Sequence, residues 1–73
     1  MNFILISYTE NGLQLEGTFN THDAAYQALR ELFAQYCEMY DGKDGEYDDG
    51  DSWINTNGAY SYGNEWSIME IEV

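Results

Sequence analysis

The chain has 73 residues, of which 14 are acidic and only two are basic, giving a formal net charge of −12 at pH 7. A chain of this length forms one domain, residues 1–73, and its 44% hydrophobic residues are enough for one core. The charge repels nucleic acid and anionic membranes, so we expect neither as a direct partner. The lack of a long apolar run or basic leader, together with a single cysteine, predicts a cytoplasmic protein.

The first 19 residues predict a β-hairpin. Residues 2–9 form a strand in which both alternating sets of side chains are apolar, a pattern typical of the interior of a sheet. Asn11 and Gly12 follow, and this pair favours a tight hairpin turn because both residues tolerate positive φ. We expect residues 13–19 to return as the second strand.

One amphipathic helix is predicted over residues 23–39. Asn20 or Thr21 supplies a side-chain oxygen to cap the first free N–H groups, and Gly42 is expected to end the helix. Apolar residues at spacings of three and four form one stripe, which is expected to face the core: Ala25, Leu29, Leu32, Phe33, Tyr36 and Tyr40.

The C-terminal part predicts a loop and two further strands. Residues 41–51, the acid loop, carry six acidic residues and three glycines in the sequence DGKDGEYDDGD. Residues 52–57 predict the third strand and residues 65–73 the last, while residues 59–63 suit either a hairpin or an open loop. The apolar alternation of the last strand changes phase at Met69, which predicts a β-bulge there.

These elements predict an α+β domain: a single four-stranded, mainly antiparallel sheet in the order ββαββ, with the one amphipathic helix on one face. The other face is then exposed to water. Tyr8, Tyr60 and Tyr62 suit that face because each has an apolar ring and a polar hydroxyl.

No enzymatic or metal site is indicated. His22 and Cys37 stand alone, without the spacing of a catalytic or zinc motif, so we assign no catalytic residue, no metal ligand and no cofactor. An EF-hand starting at Asp44 fails because Asp49 replaces the required glycine and Asn55 the bidentate glutamate. Weak cation binding by the acid loop remains one alternative function.

Acidic and aromatic residues are interleaved at the end of the helix and in the acid loop. Aromatic residues are common interface anchors, and carboxylates pair with Arg and Lys. We predict that this acid–aromatic patch binds the partner; it consists of Glu31, Glu38, Tyr40, Asp41, Asp44, Glu46, Tyr47, Asp48, Asp49, Asp51 and Trp53.

The chain resembles short acidic proteins of phages and mobile elements of the anti-CRISPR and anti-restriction type. The resemblance lies in the opening FILISYTENGLQLEGTFNT, the helix DAAYQALRELFAQYCEM, the acid loop and the closing EWSIMEIEV. It implies a small α+β inhibitor that mimics DNA and occupies the nucleic-acid site of a host defence nuclease.

We therefore expect an acidic, non-enzymatic protein-binding module whose partner presents a basic surface, such as a nucleic-acid-binding host protein. The main alternative is a general interaction protein or homodimer that uses the open, tyrosine-rich face of the sheet.

Overall fold

The computed structural model describes residues 2–40 and 46–72, which form one antiparallel sheet and one helix. The strands follow the order β2-β1-β6-β5-β4-β3 across the sheet. The elements are β1 Asn2–Thr9, β2 Gly12–Phe19, α1 His22–Tyr36, β3 Tyr47–Asp48, β4 Ser52–Asn55, β5 Gly58–Ser61 and β6 Asn64–Ile71.

The class α+β is correct, but the predicted four-stranded ββαββ sheet is wrong because this sheet has six strands. The segment expected to be one strand, residues 52–57, ends at Asn55, whose Oδ1 accepts the backbone N–H groups of Asn57 and Gly58 at 2.9 and 3.0 Å. This turn leads directly into β5, the segment left ambiguous by the sequence. The sixth strand, β3, is a two-residue pairing inside the acid loop that has no periodic pattern to reveal it.

The helix begins as expected but ends early. Thr21 Oγ1 accepts the N–H of Ala24 at 3.1 Å, which caps the first turn. The last helical residue is Tyr36; Cys37 still donates its N–H to Phe33 O at 3.0 Å, but its backbone is extended. Gly42, the expected terminator, lies outside the described residues.

The core lies between α1 and one face of the sheet. Ala25, Leu29 and Phe33 on the helix are fully buried, and Phe33 makes edge contacts with the rings of Tyr40 and Trp66 at 5.1 and 6.3 Å. The covered face of the sheet contributes further core residues, which include Leu5, Ile54, Ala59 and Ile68, and Tyr26, Cys37 and Tyr40 complete the core from the helix and the segment after it.

Two helix residues expected in the core lie at its margin. Leu32 is only partly buried, and Tyr36 is 49% exposed, with its ring 4.9 Å from that of Trp66. Tyr26, which was not assigned to the apolar stripe, is buried instead. The helix therefore faces the sheet with a rotation slightly different from the one that the stripe predicted.

The bulge predicted at Met69 is wrong, because β6 pairs with β1 without a break from Asn2–Ile71 to Tyr8–Glu65. The change of phase arises because both faces of β6 carry apolar residues: Ile68 points to the helix and Met69 to the opposite face. A bulge occurs in β2 instead, where Glu16 is the extra residue between the partners of Leu5 and Ile6.

β1 lies between β2 and β6, so its prediction as an interior strand is confirmed. The face of the sheet that α1 does not cover is called the open face below. Its side chains alternate along each strand with the buried ones, as the period of two requires.

Candidate functional site

The acid–aromatic patch does not form one surface in the described residues. Glu31 and Glu38 are exposed on α1 and just after it. Trp53 precedes the core residue Ile54 in β4 and is paired with Asp48 of β3, so the side chains of Trp53 and Asp48 belong to the open face. Tyr47 is paired with Ile54 and lies on the covered side, against Phe33.

The remaining patch residues divide between the core, the surface and the part of the chain that is not described. Tyr40 is buried, with its ring 6.0 Å from that of Tyr47, so it supports the core and is not presented to a partner. Glu46 and Asp51 are exposed. Asp41 and Asp44 lie outside the described residues.

Two acid-loop carboxylates hold the turn between β3 and β4. Asp49 Oδ1 accepts the N–H groups of Asp51 and Ser52 at 3.0 and 2.8 Å, and its Oδ2 accepts the hydroxyl of Tyr47 at 2.7 Å. Asp48 Oδ1 accepts the N–H of Gly50 at 2.9 Å. These carboxylates stabilise local structure by side-chain-to-backbone bonds, in the manner of Asx turns.

The hydrogen bonds also shift the ionisation of the turn. The hydroxyl of Tyr47, followed by the N–H groups of Ser52 and Asp51, lowers the pKa of Asp49 below its ordinary value of 3.8. The same bond to Asp49 raises the pKa of Tyr47, because removing the phenolic proton would place two negative charges side by side. At neutral pH the turn therefore contains a carboxylate and a neutral phenol.

His22 and Cys37 both serve packing. The His22 ring makes an edge contact with Phe3 at 5.7 Å and stacks on Tyr26 at 6.4 Å, while its Nε2 lies 3.2 Å from Asn57 Oδ1. Cys37 is buried. Within residues 2–40 and 46–72, no three His, Cys, Asp or Glu side chains are grouped so that they could hold a metal ion.

The open face carries most of the large exposed apolar side chains of the described residues. Eight large apolar or aromatic side chains are exposed in the described ranges, and the strand register places five of them on this face. They are Tyr8, Leu13, Leu15, Trp53 and Met69, with exposed fractions of 55, 67, 62, 36 and 49%. Five large exposed apolar side chains on one face form a patch of the kind that typically marks an interaction site.

A trough of about 520 Å³ runs across the open face. Gly58 and Ser67 form its floor, since they are opposite each other in β5 and β6 and neither carries a large side chain. Tyr8 and Leu13 line one side of the trough and Trp53 the other. A Cβ on residue 58 would lie 2.8 Å from the carbonyl oxygen of Trp66, so the close approach of β5 to β6 requires glycine there.

Acidic groups are the only charged side chains on the open face among the described residues. Glu65 is paired with both Tyr8 and Tyr60 and lines the trough, while Asp48 lies on the edge strand β3. Arg30 is on α1, where its Cζ lies 5.0 Å from the centre of the Tyr26 ring. The face thus combines apolar side chains with negative charge.

Sequence reasoning found only part of this surface. It placed Tyr8 and Tyr60 on the uncovered face, as observed, but Tyr62 lies in the β5–β6 turn with a positive φ of 48°. It missed the exposure of Leu13 and Leu15. Their i, i+2 spacing signals a shared face, but whether α1 covers that face depends on the position of the Glu16 bulge.

Comparison with known proteins gives no relative: no family model matches the chain, and neither does a curated protein or a solved structure. In the described part of the chain, no helix has the combined length and apolar character needed to cross a membrane. The functional argument therefore rests on the residues of this chain.

Proposed function

We propose that this protein is a non-enzymatic, cytoplasmic, acidic binding module whose main contact surface for a protein partner is the open face of the sheet. The observation that carries this proposal is the grouping of Tyr8, Leu13, Leu15, Trp53 and Met69 on one uncovered face. Large exposed apolar patches on small proteins typically mark interaction sites.

The open face has the size and composition of an interface. A standard protein–protein interface takes about 800 Å² from each partner. The Cα atoms extend over 36 × 28 × 16 Å, so the two longer dimensions of the molecule span an area of this order. Trp53 and Tyr8 beside an open trough suit anchor residues, since aromatic residues dominate interface energetics.

Charge indicates the chemistry of the partner. Glu65 and Asp48 lie on the open face, and the whole chain carries a net charge of −12. A basic protein surface with apolar side chains at its centre complements both features, and the long-range field accelerates its association. A second copy of this chain complements the apolar face but not the charge.

A narrower candidate is inhibition of a host nucleic-acid-binding protein, such as a defence nuclease, by occupation of its nucleic-acid site. Its support is the net charge of −12, the exposed carboxylates of Glu31 and Glu38, and the resemblance to anti-CRISPR and anti-restriction proteins. Here the acidic residues of α1 and the acid loop, rather than the open face, form the principal contact.

The two candidates are separated by binding kinetics with three protein samples. The partner is captured from a lysate of the cells that contain this protein, purified and immobilised. Binding is then measured at low and high salt for the unmodified chain, for an open-face variant with Leu13→Ser and Leu15→Ser, and for a helix-acid variant with Glu31→Gln and Glu38→Gln.

We expect the open-face variant to dissociate at least about tenfold faster at both salt concentrations, since it loses apolar contacts. The helix-acid variant should bind with only a modest decrease in association rate. The reverse result, an unaffected open-face variant and a helix-acid variant that loses binding most strongly at low salt, would reject the open face and support occupation of a nucleic-acid site.

A further inference from the structure

The two edges of the sheet differ sharply in accessibility. The edge strand β3 has two residues and is flanked by acidic residues, both of which discourage pairing with another chain. The other edge, β2, has eight residues and only one charged residue, Glu16. Among the described strands, only β1 pairs with β2, so the outer side of β2 is available for pairing.

The available edge borders the apolar part of the open face. Leu13 and Leu15 of β2 are paired with Tyr8 and Ile6 of β1, and all four side chains lie on this face. An extended segment added beside β2 would place every second side chain next to Leu13 and Leu15. Its other side chains would point to the covered side, where Gln14 lies.

We propose that β2 is a docking edge for an extended segment of the partner, in which apolar and basic residues alternate. This inference rests on the proposed function and specifies how the partner binds. Apolar residues of the segment extend the open face beside Leu13 and Leu15, while its basic residues lie on the opposite side, near Glu16.

The β-bulge limits the docking edge to its first half. The extra residue Glu16 interrupts the regular spacing of β2, and its carboxylate accepts the Ser7 hydroxyl at 3.1 Å. The segment therefore pairs along residues 12–15 and not beyond. Charge also disfavours a second copy as the occupant, since each chain carries a net charge of −12 and two copies would repel each other.

The test uses the unmodified protein and three synthetic peptides, so no variant has to fold. The first peptide is a blocked octamer of alternating lysine and valine. The other two have the same sequence with every second backbone nitrogen methylated, one on the odd and one on the even positions. A strand added to an edge donates only one alternating set of its N–H groups to that edge.

We expect the unmodified peptide and one methylated peptide to bind alike, and the other methylated peptide to bind at least about tenfold more weakly. Amide hydrogen exchange should slow at backbone N–H groups within residues 12–15 and remain unchanged in the second half of β2. Equal binding by both methylated peptides would show that the peptide binds by electrostatic attraction without backbone pairing, and it would overturn the inference.

Three other outcomes also overturn the inference. The first is no binding by any of the peptides. The second is protection of β2 at high protein concentration without peptide, which would make a second copy the occupant. The third is a peptide that perturbs Trp53 and Met69 without slowing exchange in β2, which would reject the docking edge while supporting the open face as the binding surface.

Discussion

Substitution of Gly58 by alanine tests the packing that forms the floor of the trough. The new Cβ would lie 2.8 Å from the carbonyl oxygen of Trp66, a contact closer than van der Waals packing allows, and this oxygen belongs to the backbone of the adjacent strand. Relief requires β5 to move away from β6. Overpacking of this kind costs about 1–3 kcal/mol of unfolding free energy.

Gly17 provides a matched control in the same sheet. A Cβ at this position would meet Cζ of Phe19 at 2.9 Å, but that atom is the end of a partly buried side chain that can rotate away. Replacing glycine with alanine also reduces the entropy of the unfolded chain, which favours the folded state by about 0.4–1 kcal/mol at a compatible site. We therefore expect Gly17→Ala to be nearly neutral.

Urea and thermal unfolding of the two variants measure the difference between their unfolding free energies. For a domain of this size, 1 kcal/mol corresponds to about 4–8 °C in Tm. We predict that Gly58→Ala unfolds at a lower temperature than Gly17→Ala by at least about 4 °C. Equal stability of the two variants would show that β5 and β6 are not as close as described and that the trough floor is wrongly placed.

Three further predictions concern the core and the charges. Phe33→Ala should lower the unfolding free energy by about 3–5 kcal/mol and Tyr36→Ala by less than about 1.5 kcal/mol, because Phe33 is fully buried and Tyr36 is half exposed. Urea unfolding measures both losses, and comparable values would show that the helix face is misassigned. Asp49→Asn should destabilise the protein more at pH 7 than at pH 3, because a lowered pKa stabilises the fold fully above the unfolded-state pKa of Asp49 and this contribution decreases as the pH falls from there through the folded-state pKa. An equal loss of unfolding free energy at both pH values would refute the role of the carboxylate charge. Raising salt from about 0.01 to 0.5 M should increase Tm, because the net charge of −12 repels itself in the compact state, and a decrease would contradict this reasoning.

The sequence predicts local structure well where one face of an element is buried. The interior position of β1 and the burial of Leu29 and Phe33 follow from side-chain type and spacing, and Thr21 is one of the two residues predicted to cap the helix. The strand count was wrong because β5, with the sequence GAYS, is rich in small residues and gives little alternation, and because β3 has only two residues. Its place in the sheet is fixed by pairing with β4 and β6, not by its own pattern.

The candidate site was harder to predict because it depends on which face the helix covers. Aromatic residues that are close in sequence lie on different sides of the fold. Trp53 points to the open face, Tyr47 to the covered side and Tyr40 into the core. Conversely, Leu13 and Met69 are far apart in sequence but share the open face. This grouping arises from strand order and register, which local sequence patterns do not reveal.

Photo-crosslinking shows directly whether the open face contacts the protein partner. A photoreactive phenylalanine analogue is introduced at Trp53 or Met69 on the open face and, as matched controls, at the exposed Gln27 or Gln35 on α1. We predict that the captured partner crosslinks from Trp53 and Met69 and not from the helix positions. Crosslinking from Gln27 and Gln35, with none from Trp53 or Met69, would show that the helix side and not the open face contacts the partner.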